Sequence, residues 1–401
     1  MCKLKSGLLF KNGVFVPDYD SHDKMLREKC IEDTAENRIA GKFVRFELSP
    51  ENDDPFVPID MWVFKIDQDE LPEWIKSDPE KYEAMARAAV KEWAEKHIFI
   101  GIDKLNLTDG SEYYLKDCTN VTLSGSSTVR NMWGSSTVQD MWDSSTVRNM
   151  RDSSTVQNMR GSSTVQNMWG SSTVQNMWDS STVQDMRGSS TVQNMRDSST
   201  VRNMWGSSTV QDMWGSSTVQ DMLVSSTVQN MWVSSTVQNM WGSSTVQNMR
   251  GSSTVQNMWD SSTVQNMWVS STVRNMRDSS TVRNMWGSST VQDMWVSSTV
   301  QNMWDRSTVQ DMRGSSTVQN MRGSSTVQNM RDSSTVQNMR DSSTVQDMSG
   351  SSTVQIAENL SKGVNVKTII LSQNAIIKDC RTKTLYAVGD WKLSIKEASD
   401  D

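Results

Sequence analysis

The sequence predicts a mainly β protein. Its centre is a parallel β-solenoid of the β-roll or β-helix kind, with two nonapeptides per 18-residue coil, between a small N-terminal α+β domain and a C-terminal β cap. Three observations predict it. From Gly125 to Ser349 one nine-residue phrase is repeated 25 times without a gap. The phrase, Gly/Asp/Val-Ser-Ser-Thr-Val-Gln/Arg-Asn/Asp-Met-Trp/Arg, is too short for a helical hairpin and poor in helix formers, so each copy is one short strand and one turn. Its ninth position changes in pairs (Trp133, Trp142, Arg151, Arg160, Trp169, Trp178, Arg187, Arg196, Trp205, Trp214), which is the order expected if two copies close one coil.

In chain order, residues 1–98 read as the α+β head, 99–124 as lead-in coils and N-cap, 125–355 as the solenoid, and 356–401 as capping strands. In the head, "LLFKNGVFV" predicts a hairpin, with Asn12-Gly13 supplying the two positive φ values of a type I′ turn. "KFVRFEL" and "DMWVFKI" read as further strands. One helix starts near Ser21. A longer one begins at Asp78, which can cap it, with Pro79 in the first turn. Tyr82, Met85, Ala89, Trp93 and Ile98 fall on one stripe of that helix and read as core. The run from Ile100 to Leu123 has β-prone segments without the strict repeat, and covers the first solenoid edge. After Gln355 the pattern decays into two or three degenerate strands and a hairpin around Gly389-Asp390 that cover the other edge.

Within the repeat, a strand from the first serine to Gln/Arg points valine and the second serine inward, and the first serine, threonine and Gln/Arg outward. Asn or Asp at the seventh position is expected to make the turn. Methionine then returns to the interior, where its flexible thioether fills a narrow core. Stacked copies bury a continuous Val, Met and Ser column and satisfy one another's backbone groups. With two copies per coil, Trp133, Arg151, Trp169, Arg187 and Trp205 form one row, and Trp142, Arg160, Trp178, Arg196 and Trp214 the other. Each ring then lies about 4.8 Å from a guanidinium above and below. A cation–π contact of this kind contributes about 0.5–1 kcal/mol at an exposed site. Leu223 interrupts the alternation, and Trp232 and Trp241 extend the rows beyond it. Val224, Val233, Val269 and Val296 at the first position each follow an apolar ninth residue, and argue against an obligatory left-handed turn there.

The formal charge of -7 resides outside the repeat, which carries 16 Arg against 16 Asp. Nucleic-acid binding needs an excess of basic groups along one face, so it is not expected. No apolar run reaches the length of a membrane span or a signal segment, and the default expectation is a cytoplasmic protein without a membrane partner. Cys2, Cys30, Cys118 and Cys380 lack metal-ligand spacing and read as reduced, small buried residues. His22 and His97 have no recognisable nucleophile or ligand partner, and the serine ladder has no base, so no catalytic residue, cofactor or metal site is expected.

What remains is a non-enzymatic structural or interaction protein whose twelve Trp/Arg ladder residues, from Trp133 to Trp241, are the binding candidates. The expected partner is a second copy of the chain, giving a dimer or filament. A glycan stacked on the aromatic row, as in an adhesin, is the alternative. A third reading orders water or ice on the outward Ser-x-Thr hydroxyls, although the adjacent Gln/Arg column interrupts a flat uncharged face.

The phrase "GSSTVQNMW", the lead-in "YYLKDCTNVTL" and the closing "AIIKDCRTKTLYAVGDWKL" resemble uncharacterised repeat proteins of gut bacteria and their phages, which share a similar head, a variable number of STVxxM nonapeptides and a similar tail. That resemblance spans nearly the whole chain, implies the same three-part organisation and no particular activity, and adds the phage particle as a location. "GSST" followed by Gln is also similar to bacterial ice-nucleation repeats, with a different period and without the second threonine of their TxT motif.

Overall fold

The computed structural model describes residues 4–356, 370–371 and 374–387. The hairpin expected at Gly389-Asp390 and most of the capping segment lie outside them. The chain divides into two compact units, Met1–Thr155 and Val156–Asp401.

The first unit opens with a four-stranded antiparallel sheet in the order β2-β1-β3-β4, formed by β1 (Lys5–Phe10), β2 (Gly13–Phe15), β3 (Val44–Ser49) and β4 (Val63–Ile66). The β1–β2 hairpin is present, but its two-residue loop is Lys11-Asn12 and Gly13 already pairs with Phe10. None of the three has a positive φ, so the expected type I′ turn is not formed. Pairing of Leu9 with Val14 and Leu8 with Phe15 sets this register. Helix α1 (His22–Glu28) starts at Ser21, whose Oγ accepts from the Lys24 N–H, and packs Met25 and Leu26 with Leu8 and Phe43 on one side of the sheet. A short helix α2 (Ala35–Ile39) and a second one, α3 (Glu73–Ser77), follow in the connections.

Helix α4 (Pro79–His97), capped by Asp78 as expected, joins Leu9, Val44, Phe46 and Leu48 in the larger core. Its buried face is Tyr82, Ala86, Val90, Trp93, Ala94 and His97. The expected stripe was rotated by part of a turn, since Met85, Ala89 and Ile98 are only half-buried. Long aromatic and thioether side chains drew that expectation away from the small Ala86 and Ala94, which let the helix approach the sheet.

Helix α4 runs directly into β5 (Ile98–Ile100), followed by β6 (Asp103–Leu107), β7 (Glu112–Lys116) and β8 (Thr119–Leu123). The first repeats give β9 (Thr128–Trp133), β10 (Thr137–Met141) and β11 (Thr146–Met150). All pairs are parallel: β5 with β7, β7 with β9 and β9 with β11 on one side, and β6 with β8 and β8 with β10 on the other. Tyr114 of β7 belongs to the head's larger core, so the lead-in coil is fused to it.

In the second unit a Thr-to-Met strand recurs every nine residues through Thr344–Met348, and each pairs in parallel with the strand 18 residues away. The 18-residue coil is therefore observed, and the two units together hold about 14 turns. The strand is Thr-Val-Gln/Arg-Asn/Asp-Met, two residues later than expected. Pairing runs through Thr, Val, Asn/Asp and Met but passes over the sixth residue. This break lets valine and methionine, three positions apart, both face inward, which a straight strand with period two does not allow. Every repeat Val and Met is buried, together with the second serine of each copy. The turn falls on the first two positions of the phrase, and the expectation of a turn at Asn/Asp is corrected. Hydrogen bonds continue through the corner: in one coil Trp205 N–H donates to the Met186 carbonyl, Ser207 N–H to Gly188 and Thr209 N–H to Ser190.

The first position is left-handed wherever it falls, including Val224 (φ 65°), Val233 (φ 61°), Val269 (φ 64°) and Val296 (φ 60°). The valines therefore do not argue against a left-handed turn; they occupy one. At most copies where Asp stands there, its carboxylate accepts the turn N–H of the coil before, as from Gly161 to Asp179 (3.1 Å) and Gly314 to Asp332 (3.0 Å). Glycine avoids the strain, aspartate offsets it with a hydrogen bond, and valine does neither.

Candidate functional site

The ladder residues stand at the corners, just before the left-handed turn, and within each unit the 18-residue pairing brings ninth-position side chains beside their counterparts one coil away. In the second unit Trp178 lies between two guanidiniums, Arg160 at 5.5 Å and Arg196 at 4.8 Å from the ring centroid. Arg187 covers Trp169 at 4.6 Å, and farther along Arg250 bridges Trp232 (4.7 Å) and Trp268 (5.7 Å). Arg313 over Trp295 and Arg322 over Trp304 repeat the contact toward the C-terminal end.

Where the sequence places Trp over Trp, rings meet: Trp214 stacks on Trp232 at 4.9 Å and Trp268 on Trp286 at 4.0 Å, while Trp241 lies tilted against Trp259 at 3.7 Å. The row thus extends through Trp259, Trp268, Trp286, Trp295 and Trp304, which were not among the candidates although they occupy the same position of the phrase. Trp205 and Trp214 remain about two-fifths exposed, and Trp142, Trp169 and Trp241 are exposed to a similar degree.

Trp133 differs. It packs against Phe56 of the head, with centroids 5.3 Å apart, and takes Arg151 on its other side at 5.1 Å. It belongs to the head's packing and is not part of an open row.

Beside the rings runs a feature the sequence reading did not name. The seventh-position side chains form amide ladders, each Asn Nδ2 donating to the Oδ1 of the residue 18 positions earlier. From Asn230 through Asn320 one column makes five such bonds at 2.9–3.0 Å. The signal was available in the near-fixed Asn at an 18-residue spacing, because in-register parallel stacking of identical amides satisfies donor and acceptor together. Asp fits as an acceptor, as in Asn203 to Asp185 (2.7 Å) and Asn239 to Asp221 (2.8 Å). At Asp293 and Asp311 two carboxylates are neighbours instead. Burial, reinforced by the Asp311 charge and opposed by Arg313, pushes the Asp293 carboxyl above its ordinary range.

The first serine of each phrase lies in the turn, so the flat face presents threonine, glutamine and asparagine columns and not the expected pair of outward hydroxyl columns. Among the described cysteines, Cys118 is buried as expected, whereas Cys380 is half-buried and Cys30 is exposed. Cys30 sits at the end of α1 with a φ of 56°, where the chain turns away from the core. Both histidines are buried; His97 Nδ1 lies 2.7 Å from the Trp93 carbonyl and Nε2 3.2 Å from Asp18. Among the described residues no helix is long and apolar enough to cross a membrane.

The chain matches no protein-family model, and neither a curated protein nor a solved structure gives a significant match. The corner geometry is therefore the basis for a functional reading.

Proposed function

We propose that the protein is a non-enzymatic interaction scaffold and that the solenoid corners join it to further copies of the same chain. The four first-position valines carry this reading. A β-branched residue at positive φ is a backbone outlier costing on the order of 1–2 kcal/mol. Yet Val224, Val233, Val269 and Val296 are each more than half exposed, so within the chain they gain little burial in return. Contact with a partner supplies the missing burial.

A second copy fits for two reasons. The repeat is neutral, with Arg and Asp in equal number, so two such surfaces do not repel. Where Trp and Arg alternate along a row, a second copy displaced by one coil sets each ring opposite a guanidinium, extending the cation–π pairing across the interface. Apolar Leu223-Val224, Trp232-Val233, Trp268-Val269 and Trp295-Val296 steps supply the apolar patches that mark interfaces.

Light scattering on the full chain beside a Val224→Gly, Val233→Gly, Val269→Gly, Val296→Gly variant tests this. A dimer or filament is expected for the natural sequence and a monomer for the variant, which should melt no lower because glycine relieves the turn. Two monomers would overturn the proposal and leave the exposed indoles to a glycan.

A further inference from the structure

We propose that His22, Glu47 and Asp67 form a binding site for a first-row divalent cation in the head. The three come from separate elements: His22 opens α1, Glu47 lies in β3, and Asp67 immediately follows β4. One imidazole nitrogen and one oxygen from each carboxylate lie within 4.8 Å of one another, and this is the group of such ligands that the described residues bring together. Sheet register explains the meeting. Glu47 is opposite Lys65 on β4, and Asp67, two residues on, returns to the same side of the sheet. Helix α1 packs on the side that carries Leu8, and Ser6, which alternates with it and pairs with Glu47, shares that side.

The hydrogen-bond geometry leaves places for a cation in the cluster. His22 Nε2 lies 3.2 Å from the Phe46 carbonyl oxygen, which can only accept, so this nitrogen carries the proton. In the neutral ring Nδ1 is then a lone pair, and it lies 3.3 Å from Asp67 Oδ2, another acceptor. A metal ion held by both atoms fits that spacing. Glu47 is 7% exposed as a residue, and its carboxylate is one of the three groups gathered here. Ser6 Oγ, on the strand paired with β3, is buried and without a hydrogen bond. A metal ion bound by His22, Glu47 and Asp67 would balance the two carboxylate charges in this largely buried setting.

The chemistry fits the donor set. One imidazole and two carboxylates suit zinc, manganese or cobalt better than calcium, which takes only oxygen. A histidine whose other nitrogen donates to a backbone carbonyl is the usual arrangement around a bound metal. Tetrahedral zinc at about 2.1 Å from each ligand separates them by about 3.4 Å, close to the His22–Asp67 spacing. Asp67 is partly exposed and gives the ion a path from solvent.

The test uses tag-free full-length protein stripped with a chelator and titrated calorimetrically with zinc chloride at neutral pH. One zinc per chain is expected, with affinity lowered at least tenfold in Glu47→Gln and in Asp67→Asn and unchanged in His97→Gln. Cobalt should give visible d–d bands without the near-ultraviolet thiolate band that Cys30 ligation would produce. If Glu47→Gln does not fold by circular dichroism, the more exposed Asp67→Asn carries the comparison. Absence of saturable binding, equal affinity in the Asp67→Asn protein, or loss of binding in Cys30→Ser would overturn the site and leave the three side chains as a metal-free polar cluster of the head.

Discussion

At the level of single residues, the repeat is governed by what a side chain meets one coil away. Asp293 and Asp311 show the rule by breaking it. Because the folded chain raises the Asp293 carboxyl above its unfolded range, ionising it as pH rises costs stability, and that cost disappears when it is protonated. Asp311→Asn should remove the repulsion and donate to Asp293 as Asn203 does to Asp185. The variant is expected to be more stable by about 1 kcal/mol at neutral pH. Its advantage should shrink as pH is lowered through the titration of Asp293; a pH-independent difference in thermal melts would assign the effect to packing alone. The valines obey a related rule that was visible in the sequence. Val224, Val233, Val269 and Val296 are each followed 18 residues later by glycine. A Cβ at Gly242, Gly251 or Gly287 would lie 3.1–3.3 Å from the backbone of the valine one coil before, a tightness shared by Gly323 over Asp305 and so a property of the turn and not of valine alone. The letters revealed the glycine; the reason for it depends on a turn geometry that was placed at the wrong residue.

At the level of the strand, the five-residue Thr-to-Met unit combines two devices. A break at the sixth position turns both Val and Met inward, and the seventh position then carries an amide ladder on the outside of the bend. Asn266→Ala should break the bonds to Asn248 and from Asn284, leaving the Asn284 amide without its acceptor. A cost of about 1–3 kcal/mol is expected, read as faster hydrogen exchange in Thr245–Met249, Thr263–Met267 and Thr281–Met285. Asn266→Asp should cost less because it keeps the acceptor, and equal exchange in the two variants would refute the ladder's role. The coil length was legible because the ninth position changes in pairs, so that Trp and Arg alternate at a spacing of two copies. The turn was not, since Asn and Asp favour turns in isolation, whereas here in-register stacking gives their side chains a better set of partners. The head cluster was invisible for another reason: His22, Glu47 and Asp67 lie far apart in the chain, and only the β3–β4 register and the seat of α1 bring them together.

At the level of the whole molecule, coils interact with their neighbours through repeated contacts, so stability is close to a sum over coils. Removing the 18 residues 242–259 should leave every remaining column in register and lower the melting temperature little. Removing only the nine residues 242–250 exchanges the two rows downstream and mismatches the strands beyond Met348, and should lower it more. Equal melts for the two deletions would contradict two copies per coil. The same stacking places one methionine from each repeat beyond the reach of solvent. Thioethers are readily oxidised to sulfoxides by peroxide, but a reagent that cannot enter the column cannot react with them. Each sulfoxide would thus mark a coil that had opened, and because a sulfoxide is too polar for the column, that coil could not close as before. In an oxidising setting the protein would keep a chemical memory of every opening, written residue by residue along its own core.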